Sequence, residues 1–334
     1  MSEITIPHIV KRPGQCMAFL TGIYINLDSA KDRRRGMEAQ LAVEGFEGYT
    51  RLRALTPMDV QARSGLTHAE AACYESHLAA LRLGMTSQLP LHVMEDDVLL
   101  SAHTPAAIKA ALDVGFLDNF DVVLTGIGLG PSVDLQLMVK LQKMASQCSI
   151  QIEGGQLIAR TACINLEHVP WICMASYIVR PQSIKRVHDL LSAELNGQDP
   201  GPCDLMLKRL CDKGQLRVGC VLPFLNGVRL AVSNPSCIHV LPEQRDRILE
   251  MGNLFSEPAG STQKPLQEAR SKALYTLPFD LYRNFLYFDV NWHEMNAVMD
   301  QAFPKRPQLP QDLATARLID FLLSGHWPPS DAAG

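Results

Sequence analysis

The sequence lacks the features of a membrane-spanning or secreted protein. The longest apolar stretch that could be considered for a membrane span, residues 169–179, is shorter than the roughly 20 residues that cross a bilayer. It also contains Pro170 and Ser176. The chain does not start with a basic stretch followed by an apolar segment, so we expect no secretory signal. These absences favour a cytoplasmic protein.

Excess positive charge and paired cysteines are also missing. The formal net charge of −4 argues against a general binder of nucleic acid, which needs a basic surface. The nine cysteines are an odd number without a Cys-x-x-Cys pair, so we expect reduced thiols rather than a disulfide framework. A hydrophobic content of 47% with 20% charged residues is ordinary for a globular protein and excludes wholesale disorder.

The hydrophobic pattern alternates between strand and helix from residue 17 onward. It predicts strands at residues 23–27, 91–94, 121–125 and 172–179, and helices at residues 33–43, 67–83, 105–113, 182–191 and from 205. Such alternation favours an α/β fold with a parallel sheet, in which ligands bind at the carboxyl ends of the strands.

Three adjacent carboxylates, Glu95, Asp96 and Asp97, close one apolar strand. Because side chains alternate along a strand, Glu95 and Asp97 should project to one side and Asp96 to the other. Like charges so close are unfavourable unless a cation lies between them, and Mg²⁺ or Mn²⁺ prefers such oxygen ligands. A solvated strand end is the plain alternative, and the triplet alone leaves both interpretations open.

The first strand and the helix after it carry polar residues in positions typical of a nucleotide site. Asn26 and Asp28 follow the strand where nucleotides bind in open α/β sheets, although both residue types also form ordinary turns. Arg33 and Arg34 lie at a helix start, where positive charge is unfavourable. A nucleotide diphosphate beside them would explain this placement; a solvated helix start would also explain it.

The helix predicted from residue 67 begins with a capping box, Thr67 and Glu70. Cys73 and His77 follow at spacings of three and four, so they share a helical face with Glu70. A histidine in this position is more often a hydrogen-bonded core residue than a ligand.

The ordered set of motifs resembles glycosyltransferase family 25, the lipooligosaccharide-biosynthesis and collagen-galactosyltransferase family. The similar segments span about residues 17–240 and are, in order, Asn26-Leu27-Asp28, Asp32-Arg33-Arg34, Glu70 to His77, Glu95-Asp96-Asp97, Ala175-Ser176-Tyr177 and Asp204. The chain departs from the family at Ser29-Ala30-Lys31, where Arg and Pro are usual, and at Ala72, where Gly is usual. Donor contacts near these positions are therefore not carried over.

The resemblance implies a GT-A-type, Rossmann-like nucleotide-sugar-binding domain over residues 15–245. After a linker, an aromatic-rich segment predicts a mostly helical extension over residues 262–334, packed on the main domain or on a second subunit. The implied activity is an inverting, metal-dependent transfer of a hexose, most simply galactose, from a UDP-sugar to a glycan or lipooligosaccharide. A lipid-linked acceptor would bring the enzyme to the inner face of a bacterial membrane.

The resemblance also assigns roles to individual residues. Glu95 and Asp97 would hold Mn²⁺ or Mg²⁺ with His239 as a third ligand, and Asp204 would be the general base. Capping its helix is the ordinary alternative for Asp204. The expected substrate contacts are Asn26, Asp28, Arg33, Arg34, Ser76, His77, Asp96 and Tyr177.

Two other classes of function remain open. One is a metal-dependent phosphohydrolase or nucleotidyltransferase built on the same carboxylates, which is disfavoured because the sequence has no P-loop and no histidine-rich two-metal signature. The other is a non-catalytic nucleotide-sugar-binding module, which would have no need of three adjacent carboxylates. No motif encodes the donor sugar, the acceptor or the linkage.

Overall fold

The structure, a computed structural model, describes residues 6–10, 19–42, 46, 48–129, 149–153, 156–169 and 171–228. His239, the predicted domain boundaries at residues 15 and 245, and the predicted extension over residues 262–334 lie outside the described residues.

The described residues contain thirteen strands, nine of which form one sheet. In chain order the strands are β1 (Ile6–Val10), β2 (Thr21–Asn26), β3 (Tyr49–Arg53), β4 (Leu91–Glu95), β5 (Val98–Leu99), β6 (Val122–Leu124), β7 (Gly128–Leu129), β8 (Ser149–Glu153), β9 (Gln156–Asn165), β10 (Trp171–Ile172), β11 (Ser176–Val179), β12 (Val218–Leu222) and β13 (Gly227–Val228). The sheet has the order β1-β9-β12-β6-β11-β4-β2-β3, with β8 paired to β9. Two short ladders, β7 with β10 and β5 with β13, lie beside it.

The helices of the described residues cover both faces of the sheet. They are α1 (Lys31–Leu41), α2 (His68–Gly84), α3 (Thr104–Asp113), α4 (Phe116–Asn119), α5 (Ile184–Leu195) and α6 (Cys203–Asp212). Helices α2, α5 and α6 pack in one apolar cluster with alternate residues of β2, β4, β6 and β11. Helices α3 and α4 pack on the opposite face, and α1 packs there through Met37 in a smaller cluster. The predicted α/β class is confirmed.

The expectation of a parallel sheet is wrong for its centre and one edge. Strands β2, β3 and β4 run parallel, and so do β6 and β12. Strand β11 lies between β4 and β6 and is antiparallel to both, and β9 is antiparallel to β12. A hydrophobic run identifies a buried strand but carries no sign of its direction, so the sequence pattern could not distinguish these cases.

One predicted strand differs from the structure. The single strand predicted at residues 172–179 is divided into β10 and β11 by a turn in which Cys173 has a φ of 74°. Strand β1 pairs with β9 at one edge of the sheet. Among the described residues, no helix is both long enough and apolar enough to cross a membrane.

The capping box at the start of α2 is confirmed. The backbone N–H of Glu70 donates to Thr67 Oγ1 (3.2 Å), and the backbone N–H of Thr67 donates to Glu70 Oε2 (2.8 Å). Helix α2 therefore begins at a fixed residue, which sets the rotation of its buried face against β4. That face carries His77.

Candidate functional site at the carboxyl ends of the central strands

The end of β4 divides the acidic triplet between the two faces of the sheet. Leu91 and Val93 belong to the cluster of α2, α5 and α6, whereas Met94 belongs to the cluster of α1. Because alternate residues share a face, Glu95 lies on the α2 side and Asp96 on the α1 side. The side-chain contacts of Glu95 and Asp96 agree with this placement. The prediction that Glu95 and Asp96 point in opposite directions is confirmed.

Asp96 ties helix α1 to the sheet. Its Oδ2 accepts a hydrogen bond from Asn26 Nδ2 (2.5 Å), and its Oδ1 lies 3.3 Å from Arg33 Nη1. The residue is buried, and burial raises the pKa of Asp96 although Asn26 and Arg33 favour its charged form. Its carboxylate thus already has two protein partners, and a contact to ribose stays a prediction.

Two arginines of β3 complete this side of the site. Arg51 Nε donates to Asn26 Oδ1 (2.9 Å), its Nη2 donates to Asn26 backbone oxygen (3.2 Å), and the same Nη2 binds Asp28. Arg53 Nε binds the other oxygen of Asp28 (3.1 Å). The hydrogen bond from Arg51 lowers the pKa of Asp28, so this carboxylate is charged at neutral pH. Sequence reasoning missed Arg51 and Arg53, although their spacing of two predicts a shared face on a strand.

Four guanidinium groups therefore surround the carboxyl ends of β2 and β4. We refer to Arg33, Arg34, Arg51 and Arg53 as the arginine flank. Arg34 Nε binds Glu38 on the same helix (2.7 Å), so each member of the flank has a carboxylate partner. A guanidinium has five N–H donors, which leaves donors for a phosphate group beside these ion pairs.

On the opposite face, His77 joins helix α2 to the end of β4. Its Nε2 lies 3.3 Å from Glu95 Oε1, and its Nδ1 lies 3.2 Å from the hydroxyl of Tyr177 on β11. Both rings are about 1% exposed. The structure thus brings together three residues that the sequence placed in the site.

Asp204 lies in the first turn of α6 and is held there by two backbone donors. The N–H of Cys173 donates to its Oδ2 (2.8 Å), and the N–H of Leu205 donates to its Oδ1 (2.9 Å). The N-cap residue of α6 is Pro202 and makes no side-chain cap bond, so Asp204 accepts the N–H of Leu205 from inside the first turn and does not occupy the capping position. A carboxylate has about four lone-pair positions, so these two bonds fix its orientation without exhausting its capacity to accept a proton or a hydrogen bond.

The electrostatic environment of Cys73 indicates that the acidic groups at the end of β4 and at the start of α6 lie close together. Burial raises the pKa of the Cys73 thiol well above its usual range, and the nearby groups of Glu95, Cys203, Asp204 and Asp97 raise it further. Such an effect requires proximity, so helix α2, the end of β4 and the start of α6 converge. We refer to Glu95, Asp97 and Asp204 as the carboxylate site.

The chemistry of this donor set fits the predicted ion. Carboxylate oxygens are the ligands that Mg²⁺ and Mn²⁺ take in proteins, usually together with water and substrate phosphates. Glu95 and Asp97, which come from one strand end and its turn, would supply them. The third predicted ligand, His239, lies outside the described residues.

Ser76 has a different environment from His77. Its hydroxyl donates to the backbone oxygen of Ala72 (2.7 Å) and accepts from the backbone N–H of Leu55 (2.8 Å), and the residue is about 1% exposed. Ser76 therefore fastens α2 to the chain after β3. Its predicted substrate contact stays a prediction.

No family model and no curated protein matches the chain. Among solved structures, the chain is similar to the crystal structure of UDP-glucose pyrophosphorylase complexed with UDP-glucose, at 14% sequence identity. The match covers 60% of this chain and 72% of that one, with a TM-score of 0.29. A likeness of this size carries no argument about activity.

Proposed function

We propose that this protein is a metal-dependent glycosyltransferase similar to family 25, with a GT-A-type donor domain. It transfers a hexose, by analogy galactose, from a UDP-sugar to a glycan or lipooligosaccharide acceptor with inversion. One observation carries the proposal: the carboxylate site and the arginine flank lie on opposite sides of the same strand end. A nucleotide diphosphate placed there would meet both a cation site and phosphate-binding side chains.

The arginine flank supports binding of the donor. Nucleotides bind at the carboxyl ends of parallel strands, and β2, β3 and β4 are the parallel strands of this region. Arginine binds phosphate through paired N–H donors. Asn26 and Asp28 hold Arg51 in place, so they preorganise the flank and are not available as isolated ligands.

Glu95 and Asp97 would hold the divalent ion. When bound, the ion supplies compensation for the negative charge that develops on the departing diphosphate. His77 fixes the orientation of Glu95 through the 3.3 Å contact, and Tyr177 fixes that of His77. Asp96 takes no part in this set because it lies on the α1 face.

Asp204 is the proposed general base. Inversion requires one in-line displacement, and the acceptor hydroxyl must lose its proton to a positioned group. The two backbone bonds to Asp204 hold its carboxylate in a fixed orientation within the carboxylate site, where it can take that proton. The proton then resides on Asp204 until solvent removes it.

Thermal unfolding of the full chain with a panel of UDP-, GDP-, CMP- and dTDP-sugars, each with and without Mn²⁺, tests this function. A ligand at 100 times its Kd stabilises the native state by about 2.7 kcal/mol, which corresponds to a rise in Tm of roughly 5 °C or more. We expect that rise with UDP-sugars and Mn²⁺, and its loss on chelation. Equal shifts with all nucleotides, or turnover that releases pyrophosphate or phosphate instead of UDP, would contradict the proposal.

A further inference from the structure

Cys73, His77 and Glu95 form a cluster with a composition different from that of the carboxylate site. Cys73 and His77 are one helical turn apart on α2 and face the end of β4. One ligand atom from each of the three residues, a sulfur, a ring nitrogen and a carboxylate oxygen, lies within 4.8 Å of the other two. Sulfur and imidazole are ligands of Zn²⁺ and related transition metals, not of Mg²⁺.

The spacing of two of these atoms already suits a tetrahedral ion. Zinc bonds of about 2.0–2.1 Å to nitrogen and 2.0–2.2 Å to oxygen place the two ligand atoms roughly 3.3–3.5 Å apart. His77 Nε2 and Glu95 Oε1 are 3.3 Å apart. With a bond of about 2.3 Å to sulfur, Cys73 Sγ would lie about 3.6 Å from each. Because Cys73 Sγ lies at most 4.8 Å from the other two ligand atoms, the thiol needs to move by about 1.2 Å or less to reach this tetrahedral spacing.

The other nitrogen of His77 has the partner that a metal-bound histidine needs. A ligating histidine donates its second ring N–H to an acceptor, which fixes the tautomer and the ring orientation. His77 Nδ1 lies 3.2 Å from the hydroxyl oxygen of Tyr177, and both side chains are buried. In the metal-bound form, Nδ1–H donates to Tyr177 and the lone pair of Nε2 faces the ion, whereas without an ion Nε2–H can donate to Glu95.

We propose that Cys73, His77 and Glu95 form a binding site for a thiolate-binding divalent ion, Zn²⁺ in preference to Mn²⁺ or Mg²⁺. Binding replaces the thiol proton of Cys73, which is released to solvent. Glu95 belongs to both this site and the carboxylate site, so an ion held by Cys73 and His77 competes with Mn²⁺ for the same carboxylate. We expect Zn²⁺ to oppose Mn²⁺-dependent nucleotide binding, because affinity for a given set of ligands rises from Mn²⁺ to Zn²⁺.

Cobalt absorption tests the site without any nucleotide, so its result is independent of the proposed transferase activity. The chelator-treated full chain is titrated with Co²⁺, which takes zinc sites and gives a thiolate charge-transfer band. We expect the band in the unsubstituted protein, its disappearance when Zn²⁺ is added, and its absence in Cys73→Ser. The control Cys163→Ser changes a partly buried thiol on β9, away from this cluster, and should keep the band. No band, or a band that survives in Cys73→Ser, would overturn the proposal.

A second variant covers the case in which Cys73→Ser does not fold. Glu95→Gln is nearly isosteric and keeps a hydrogen-bonding group beside His77, but its amide is a poor metal ligand. In calorimetric titration with Zn²⁺, we expect the unsubstituted protein to bind one ion more than Glu95→Gln binds. If the two proteins bind the same number of ions, we expect the variant to have an affinity for Zn²⁺ that is at least about tenfold lower. Equal affinity and stoichiometry in the two proteins would show that the His77–Glu95 contact is a hydrogen bond alone, and would overturn the site.

Discussion

Arg51 donates two hydrogen bonds to Asn26, one to the side-chain oxygen and one to the backbone oxygen. Asn26 in turn donates to Asp96, which also binds Arg33. The edge strand β3, the end of β2, the end of β4 and helix α1 are thus joined by one series of polar contacts. The position of the arginine flank depends on this series, because a guanidinium has a fixed fork of donors that a flexible ammonium cannot reproduce.

Arg51→Lys should therefore lose both stability and nucleotide binding. Loss of the paired bonds to Asn26 and of the bond to Asp28 should lower the free energy of unfolding by about 1–3 kcal/mol, measured by urea denaturation. Arg35→Lys is the matched control, since Arg35 has an exposed side chain that pairs with Asp32 on its own helix. That control should change stability by less than about 0.5 kcal/mol. Equal effects of the two changes would contradict the role given to Arg51.

Tyr177→Phe should weaken metal-dependent binding without unfolding the protein. The hydroxyl holds Nδ1 of His77, so its removal frees the ring that orients Glu95. We expect a loss of about tenfold in Mn²⁺ affinity, measured by calorimetry in the presence of UDP.

The control for this experiment is Tyr74→Phe. Tyr74 is equally buried, and its hydroxyl donates to the backbone oxygen of Leu191, away from Glu95. The Tyr74→Phe change should lower the free energy of unfolding and leave the affinity for Mn²⁺ unchanged. If both variants lost the same affinity, the effect would be one of packing and not of His77 orientation.

Asp204→Asn should separate turnover from binding. The amide oxygen can still accept a backbone hydrogen bond, but the side chain cannot take a proton, so UDP release from the donor should fall by about 10²–10⁴-fold with UDP affinity nearly unchanged. Asp212→Asn is the control at the other end of α6, where Asp212 accepts the backbone N–H of His168. If the Asp204 variant turned over as fast as that control, Asp204 would not be the general base.

The extent to which the sequence predicts this site differs between its two sides. The period of two along β4 correctly separates Glu95 from Asp96, and the capping box at Thr67 and Glu70 correctly starts α2. These features are local, since they depend on neighbours along the chain. The spacing of Cys73 and His77 on α2 is local for the same reason.

The features that the sequence did not predict depend on distant pairing. Strand β3 lies at the sheet edge and contains only half-buried and exposed residues, so it lacks the apolar run that marks a buried strand. The role of Arg51 follows from the register of β3 on β2, which sets Arg51 opposite Tyr24 and Arg53 opposite Asn26. The antiparallel direction of β11 likewise follows from the path of the whole chain.

The dependence of the free energy of unfolding on pH should show the titration of one buried histidine. His92 is about 1% exposed, its Nδ1 and Nε2 bond to Tyr49 and Ser176, and burial lowers its pKa to about 3. Because the unfolded chain titrates near pH 6.5, this group stabilises the fold above that pH and loses its contribution as the pH falls toward 3. Between about pH 7.5 and about pH 5.5 the loss should approach 1.4 kcal/mol.

His92→Gln lacks this titration, so comparing its urea unfolding with that of the unsubstituted protein at the two pH values isolates the contribution. His103→Gln, a change at an exposed histidine before α3, should keep the original pH dependence. If His92→Gln and the unsubstituted protein lost stability in parallel, His92 would not be the titrating group.

The central claim, that the end of β4 holds a divalent ion that binds a uridine diphosphate, is tested most directly by calorimetric titration of UDP with and without Mn²⁺. The unsubstituted protein should bind UDP at least about tenfold more tightly with the ion present. Asp97→Ala should abolish that dependence, whereas Asp113→Ala, which removes an exposed carboxylate paired with Lys109 on α3, should keep it. UDP binding in Asp97→Ala that is as tight and as dependent on Mn²⁺ as in the unsubstituted protein would contradict the account.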